Sequence, residues 1–171
     1  AIMSGRMPMS AKRGKALGAF PRLADIGILP DIMAGNIIGV VAQRLVRVLC
    51  PHCKVAHKPD GLERKILRLK TTDKPQIYKA KGCKLCNQTG YRGRMAIIEL
   101  LRIDSDFDSL ISRRAHLDEL QALALDKGFV TLAEDGVRRI LEGYTSLTEV
   151  MRVIDLTSRM HESAKHKSSS K

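Results

Sequence analysis

The chain has 171 residues, a formal net charge of +12, 44% hydrophobic residues and 28% charged residues. This composition predicts one folded domain, or one domain with a small appendage, and excludes wholesale disorder. A membrane span needs about 18–20 continuous apolar residues. The longest apolar region, Ile32 to Leu49, is interrupted by glycine, amide and arginine residues. No secretory leader is recognisable, so we expect a cytoplasmic protein.

The first part of the chain is predicted to be helical. The sequence predicts a short helix from Phe20 to Ala24 that ends near Gly27, and a longer helix that starts just after Pro30. In the longer helix, apolar residues recur every three or four positions and would share one face. These residues are Met33, Ile37, Val41, Leu45 and Val48. We therefore predict that this helix is a core element.

The strongest chemical signal is a pair of Cys-x-x-Cys motifs, Cys50 with Cys53 and Cys83 with Cys86, separated by 29 residues. The segment between them is rich in proline, glycine and lysine, so hydrophobic burial alone could hardly hold it. Each motif presents two thiolates on one side, and two motifs complete a tetrahedral four-thiolate Zn²⁺ site. In a reducing compartment, this pattern favours a metal site over disulfides.

Two other readings of the cysteines explain the matched pairs less well. A redox pair normally needs a single Cys-x-x-Cys at the start of a helix, and the other reading is an iron-sulfur cluster. His52 and His57 could replace a cysteine ligand, but four thiolates already complete the shell, so we interpret both as surface residues. A structural zinc ion would supply folding free energy to this segment. The sequence thus predicts that Cys83→Ser or Cys86→Ser unfolds residues 50–86 and spares the terminal helices.

The C-terminal part is predicted to be one strand followed by short helices. Met95 to Ile103 is a nearly continuous apolar run typical of a buried strand, in which Glu99 is the anomaly. Gly128 marks the end of one helix, and the pairs Thr131/Glu134 and Ser146/Glu149 have the spacing of capping boxes. The predicted helices begin at Asp104 or Ser105, near Leu117, at Thr131 and at Ser146. Residues 158–171 are predicted to form a disordered basic tail.

The chain contains no recognisable phosphate-binding loop. Gly14-Lys15 is followed by Ala16, and Met9 occupies the position of the first glycine of such a loop. No apolar strand ends in a pair of carboxylates that could hold Mg²⁺. We therefore do not expect this chain alone to hydrolyse ATP.

Three stretches carry a specific family resemblance: Ala42-Gln-Arg-Leu up to Cys53, Cys83 up to Tyr91-Arg-Gly-Arg94, and Ile98-Glu-Leu-Leu101. From about Leu17 to Ile154, the chain closely resembles the C-terminal part of the type II secretion and type IV pilus assembly ATPases. The resemblance implies an α+β, mainly α, fold in which an Ala-Gln-Arg-Leu helix leads out of a RecA-like core. The implied divisions are the core edge (1–49), a four-cysteine metal-binding subdomain (50–94), a strand plus a C-terminal helical subdomain (95–157), and the tail (158–171).

The same resemblance implies a hexameric motor on the cytoplasmic face of the bacterial inner membrane. Such a motor uses ATP and Mg²⁺ to drive pilus or pseudopilus assembly and protein secretion, and reaches the membrane through an inner-membrane platform component. Arg94 falls on an arginine that the family links to ATPase activity and subunit coupling, with Arg92 beside it. Arg44 of the Ala-Gln-Arg-Leu stretch is a weaker candidate, because it can simply anchor its element.

Two departures from the family bear on activity. The family's P-loop, Asp-rich box and Walker B segment would lie upstream of Ala1. Ser4 to Ser10 imitates a family strand, but Arg6 replaces its histidine, and residues 11–15 offer no second histidine. The histidine box is therefore expected to be lost, so that the chain is either part of a full ATPase or a truncated paralogue.

The rival interpretation is a stand-alone zinc-ribbon protein that binds nucleic acid, as suggested by the charge of +12. The aromatic content of only 4% argues against it, because single strands bind by stacking on exposed aromatic rings. We therefore expect no specific nucleic-acid partner. A third interpretation is a structural zinc domain without a partner of its own.

Overall fold

The computed structural model describes residues 16–156, which form a mixture of helices and strands, as predicted. The expected tail at 158–171 and the altered histidine box lie outside the described residues. The longest helices of the described part have ten residues, and none has the length and apolar character of a membrane span. The elements are α1 (Ala19–Asp25), α2 (Pro30–Met33), β1 (Gly39–Leu49), β2 (Val55–His57), α3 (Gly61–Leu67), β3 (Ile77–Lys79), β4 (Tyr91–Arg102), α4 (Ser105–Ser112), α5 (Leu117–Asp126), α6 (Leu132–Leu141) and α7 (Leu147–Val153).

The four strands form two separate two-stranded sheets. β1 pairs with β4, and hydrogen bonds at both ends show that the pair is antiparallel. The N–H of Ile103 donates to the carbonyl of Ile38 at 3.0 Å, and the N–H of Cys50 donates to the carbonyl of Gly90 at 2.9 Å. β2 and β3 are also antiparallel, with Ala56 opposite Tyr78. The first sheet brings the two cysteine motifs to the same end of a long strand pair.

The predicted long helix after Pro30 is wrong. The helix α2 ends at Met33, and the following apolar residues form the strand β1. Val41 and Leu45, predicted to face the core, are 59% and 53% exposed. β-branched residues are frequent in this stretch and favour strands, and β4 supplies the hydrogen-bond partners that a strand needs. The Ala42-Gln-Arg-Leu stretch is therefore part of a strand and does not form the helix that the family resemblance implied.

The other predicted elements are confirmed. β4 matches the predicted strand from Met95 to Arg102 and begins earlier, at Tyr91, and helices lie at each of the four predicted C-terminal positions. Asp104 caps α4, and Thr131 forms a reciprocal capping box with Glu134. Ser146 accepts a hydrogen bond from the N–H of Glu149 as predicted. The Glu149 carboxylate, however, binds two arginines.

The described residues divide into two compact units, one with residues 16–42 and Glu99–Val130 and the other with Gln43–Ile98 and residues 131–156. The first unit has a continuous apolar core. Glu99, the anomaly in the strand pattern, is only 2% exposed in this unit and accepts a hydrogen bond from the N–H of Ala16. The buried apolar core of the first unit consists of Ala16, Leu17, Phe20, Met33, Leu101, Ile103, Phe107, Ile111, Leu120 and Ala124.

The second unit contains α3, α6, α7 and the β2–β3 sheet, together with the parts of β1 and β4 next to the cysteines. Its largest fully buried apolar side chains are Ile77, Ile97, Ile140, Leu156, Val46 and Val150. Leu156 follows α7, and the other five side chains come from both the strands and the helices. The unit that carries the cysteines therefore has its own apolar interior.

Leu120 and Leu125 offer a matched test of the core of the first unit, because both lie on α5 and are 4% and 53% exposed, respectively. We expect Leu120→Ala to lower the free energy of unfolding by about 2–4 kcal/mol, because a large buried side chain is removed. Leu125→Ala should change it by less than about 1 kcal/mol. Urea unfolding followed by circular dichroism measures both, and equal effects would contradict the assignment of Leu120 to the core.

Candidate metal centre

The side chains of Cys50, Cys53, Cys83 and Cys86 meet at one point in the second unit. Their four sulfurs all lie within 4.8 Å of one another. The separations are 4.0 Å for Cys50–Cys83, 3.8 Å for Cys53–Cys86 and 3.7 Å for Cys83–Cys86. A tetrahedron with Zn–S bonds of about 2.3 Å places its sulfurs about 3.8 Å apart. The sulfurs are too far apart for disulfides, which need about 2.05 Å.

Local backbone turns place each cysteine pair. After β1, the N–H groups of Cys53 and Lys54 donate to the carbonyl of Cys50 at 3.3 and 3.0 Å, which folds the first pair into a knuckle. The second pair lies on a short 3₁₀ turn, followed by Asn87 and Gln88 with φ values of 50° and 60°. Asparagine tolerates this left-handed region better than most residues. Each cysteine pair is thus placed by a backbone turn of its own.

The surroundings of Cys53 and Cys86 shift the pKa values of these two thiols in opposite directions. Burial raises the pKa of the Cys53 thiol to about 12. Burial also raises the pKa of Cys86, but the N–H groups of Cys83 and Gly90 each donate to its sulfur at 3.2 Å and lower that pKa to about 6. Because a cysteine binds a metal ion as its thiolate, metal binding at this cluster would release protons. A donor set of four sulfurs suits Zn²⁺ and leaves no coordination position open.

The segment between the cysteine pairs is held by polar contacts around α3. Asp60 caps this helix in a reciprocal box with Glu63. The Glu63 carboxylate lies 3.1 Å from Nε2 of His57 and 3.7 Å from Nζ of Lys79. His52 is exposed, as predicted, whereas His57 is half-buried and contacts Glu63. The structure brings neither histidine into the sulfur cluster.

The three arginines singled out from the sequence lie on the strands β1 and β4. Arg92 and Arg94 are exposed on β4, and within residues 16–156 neither side chain makes a hydrogen bond or an ion pair. Gly93 between them has a φ of 81°. Arg44 is half-buried on β1 and donates from Nη1 to the carbonyl of Gln43 at 2.9 Å. The geometry leaves Arg92 and Arg94 available for contacts outside the described residues.

We call residues 50–86, which begin and end with a cysteine of the cluster, the metal segment. Sequence reasoning missed a buried carboxylate beside this segment. Glu149 is 1% exposed and binds two guanidinium groups, those of Arg47 at 2.6 Å and Arg152 at 2.8 Å. Burial raises the pKa of Glu149, but the hydrogen bonds from Arg152 and Arg47 outweigh burial and hold that pKa at about 2. The Arg47 guanidinium also lies 4.1 Å from the centre of the Tyr91 ring. The only sequence signal was the capping-box position of Glu149.

Comparison with known proteins identifies the class of protein that carries this site. The sequence profile described as "Type II/IV secretion system protein" matches residues 1–152. The chain therefore belongs to the type II/IV secretion system protein family, as the resemblance predicted.

The similar proteins include secretion and pilus ATPases. The chain is 41% identical over 160 residues to the type IV pilus assembly ATPase TfpB of Acinetobacter baylyi, covering 92% of this chain and 27% of that protein. It is 40% identical over 154 residues to the type II secretion system protein E of Pseudomonas aeruginosa, covering 90% and 30%. It is 41% identical over 138 residues to the type IV pilus assembly ATPase PilB of Thermus thermophilus, covering 80% and 16%. The chain thus spans less than a third of the length of each of these relatives.

Glu149 makes stability depend on pH in a defined direction. Its pKa in the folded protein is about 2, below the ordinary value of 4.5, so its contribution is complete above pH 4.5 and is lost as the pH falls towards 2. We expect Glu149→Gln to lower the free energy of unfolding at pH 7 by about 2 kcal/mol or more. The free energy of unfolding of this variant should also change less between pH 4.5 and pH 2 than that of the unsubstituted chain. Urea unfolding between pH 2 and pH 7 measures this.

Glu142→Gln is the matched control. Glu142 is partly exposed and its carboxylate lies 3.3 Å from one arginine, Arg139. This exposed pair should contribute less than about 1 kcal/mol. If the Glu142 and Glu149 variants lose stability equally, the assignment of a buried, doubly paired carboxylate is wrong.

Proposed function

We propose that this chain is the C-terminal zinc-binding and assembly portion of a type II secretion or type IV pilus assembly motor ATPase. The observation that carries the proposal is the four-sulfur cluster in a chain about 40% identical to such ATPases over about 90% of its length. Two strands and two knuckles, one for each cysteine pair, converge on this cluster. The chain would supply a rigid part of the motor, and hydrolysis of ATP would require the remainder of the protein.

Cys50, Cys53, Cys83 and Cys86 would hold a structural Zn²⁺ ion. Three of the sulfur separations, at 3.7–4.0 Å, support a tetrahedral arrangement. The ion would hold together the two ends of a segment that has few large buried side chains. Ile66, Leu67 and Ile77 are buried there, and most of the remaining segment is polar or charged.

The proposed division assigns residues 1–49 to the edge of a RecA-like core, 50–94 to the metal-binding subdomain, 95–157 to a strand and helical subdomain, and 158–171 to a basic tail. Exposed apolar side chains support the first assignment. Ile26, Ile32 and Ile38 are 74%, 56% and 87% exposed, and Leu100 in the same unit is 60% exposed. So much exposed apolar surface is typical of a face that another part of a protein covers.

In the whole motor, Arg94, Arg92 and Arg44 would couple the nucleotide site or the subunit interface to this portion. The exposure of Arg92 and Arg94, and their lack of partners within residues 16–156, support a role outside the chain's own fold. The motor would be a hexamer that uses ATP and Mg²⁺ on the cytoplasmic face of the inner membrane. It would reach that membrane peripherally, through a platform component of the secretion or pilus system.

Metal content tests the zinc centre directly. We expect the purified chain to contain one Zn²⁺ per molecule by plasma mass spectrometry, and Cys83→Ser to lose most of it because one of four ligands is removed. His52→Ser is the matched control, since His52 is exposed within the first knuckle, and this variant should retain the ion. A chain without zinc, or a Cys83 variant that retains it, would contradict the proposal.

The motor assignment is tested in the source cells. An antibody against residues 50–86 should detect a band far above 19.0 kDa, since the relatives are three or more times longer than this chain. In that longer protein, we expect Arg94→Ala to reduce ATP hydrolysis at least about tenfold if the arginine acts on developing phosphate charge. Lys74→Ala, an exposed basic residue in the metal segment, should leave the rate unchanged. A band near 19.0 kDa would contradict the assignment.

A further inference from the structure

The turn between α6 and α7 is bound directly by the strand that enters the metal segment. We call residues 143–146 the α6–α7 turn. Two of its carbonyls accept hydrogen bonds from residues next to the first cysteine pair, and one of its hydroxyls donates in return. The bonds join the N–H of Leu49 to the carbonyl of Tyr144 at 2.8 Å, Nζ of Lys54 to the carbonyl of Gly143 at 3.0 Å, and Oγ1 of Thr145 to the carbonyl of Arg47 at 2.9 Å.

The same turn also binds the strand that leaves the metal segment. The hydroxyl oxygens of Ser146 and Tyr91 are 2.7 Å apart, and Tyr91 begins β4 just after the second cysteine pair. Thr145 and Ser146 are 0% and 3% exposed, so these contacts are protected from water. Both strands that connect to the cysteines therefore contact one turn, in which Gly143, Thr145 and Ser146 are buried.

A third contact reaches into the segment between the cysteine pairs. The ring of Tyr78 on β3 packs against Gly143, and Nζ of Lys54 lies 4.4 Å from the centre of that ring. A Cβ atom on Gly143 would lie 2.8 Å from Cε2 of Tyr78, which is too close for any side chain. The backbone at Gly143 also has a φ of 76°, which favours glycine. The absence of a side chain at this position is what lets Tyr78 approach the turn.

We infer that contacts with the α6–α7 turn hold the metal segment in place. Metal binding and the stability of the helices α6 and α7 are therefore thermodynamically linked. This inference rests on the proposed zinc site. The contacts with this turn come from the ends of β1 and β4 and from β3, and β3 lies in the segment whose two ends the cysteines would hold together. Linkage is reciprocal. Substitutions that remove contacts with the α6–α7 turn therefore weaken metal binding, and loss of the metal makes α6 and α7 less stable. This differs from the expectation from sequence alone, in which the terminal helices are spared.

Two glycines with the same backbone conformation provide the test. Gly143 and Gly128 both have a φ of 76°, but nothing lies within 4 Å of a Cβ on Gly128. We expect Gly143→Ala to weaken zinc binding about tenfold, because its methyl group displaces Tyr78, and Gly128→Ala to leave zinc affinity unchanged. The affinity of the 171-residue chain is measured by competition with a chromogenic chelator. Equal affinities for the two variants would overturn the inference.

A second variant keeps the test valid if Gly143→Ala does not fold. Lys54→Met removes the hydrogen bond to the Gly143 carbonyl and the cation above Tyr78 while retaining an apolar stem. It should weaken zinc binding at least about fivefold. Lys58→Met, at an exposed lysine of the same segment, should leave zinc binding unchanged. Circular dichroism confirms that each variant is folded, and equal zinc affinities for the two lysine variants would overturn the inference.

Hydrogen exchange tests the reverse direction on the unsubstituted chain. When zinc is removed by a chelator, the amides of α6 and α7 should exchange at least about fivefold faster, whereas those of α5 in the first unit should not change. Faster exchange confined to residues 50–90 would overturn the inference and leave the zinc centre standing. A chain that never binds zinc would overturn both the zinc centre and the linkage.

Discussion

The fold of the second unit depends on holding together the two ends of the metal segment, residues 50–86. Residues between the cysteine pairs bury only a few apolar side chains, and the pairs are 29 residues apart in the sequence. A metal ion bound by the four sulfurs, which lie within 4.8 Å of one another, would hold the two ends together where hydrophobic burial cannot. The hydrogen bond between Cys50 and Gly90 aligns the two knuckles at the same end of β1 and β4. A metal ion at this point would therefore act on the fold more than on any reaction.

Buried polar contacts next to the cysteines connect the ends of the metal segment to the helices of the same unit. Glu149 holds the guanidinium of Arg47 just before the first cysteine, and that guanidinium lies over Tyr91 just after the second pair. The Ser146 hydroxyl both caps α7 and contacts Tyr91. One helix start thus serves two purposes, local capping and tertiary contact. Such a network is costly to disrupt, because each removed partner leaves a buried polar group unsatisfied.

The first unit has a different character. Its core is apolar and continuous, yet several large side chains, including Ile26 and Ile38, lie in solvent. The chain spans less than a third of the length of the relatives TfpB and type II secretion system protein E. Under the function proposed above, another part of a longer protein would cover this exposed apolar surface.

Local patterns in the sequence determined the knuckles, the caps of α4 and α6, the strand at Met95 and the short C-terminal helices, because each depends on residues a few positions apart. The family was also readable from the sequence, since its motifs lie within single stretches. The strand β1 was not, because its apolar spacing fits a helix as well, and only pairing with β4 decides between the two. The roles of Arg47, Glu149 and Gly143 likewise depend on partners about 40 to 100 residues away. Contacts over such distances are decided by tertiary structure, because no local pattern specifies which buried charge or turn a distant residue will meet.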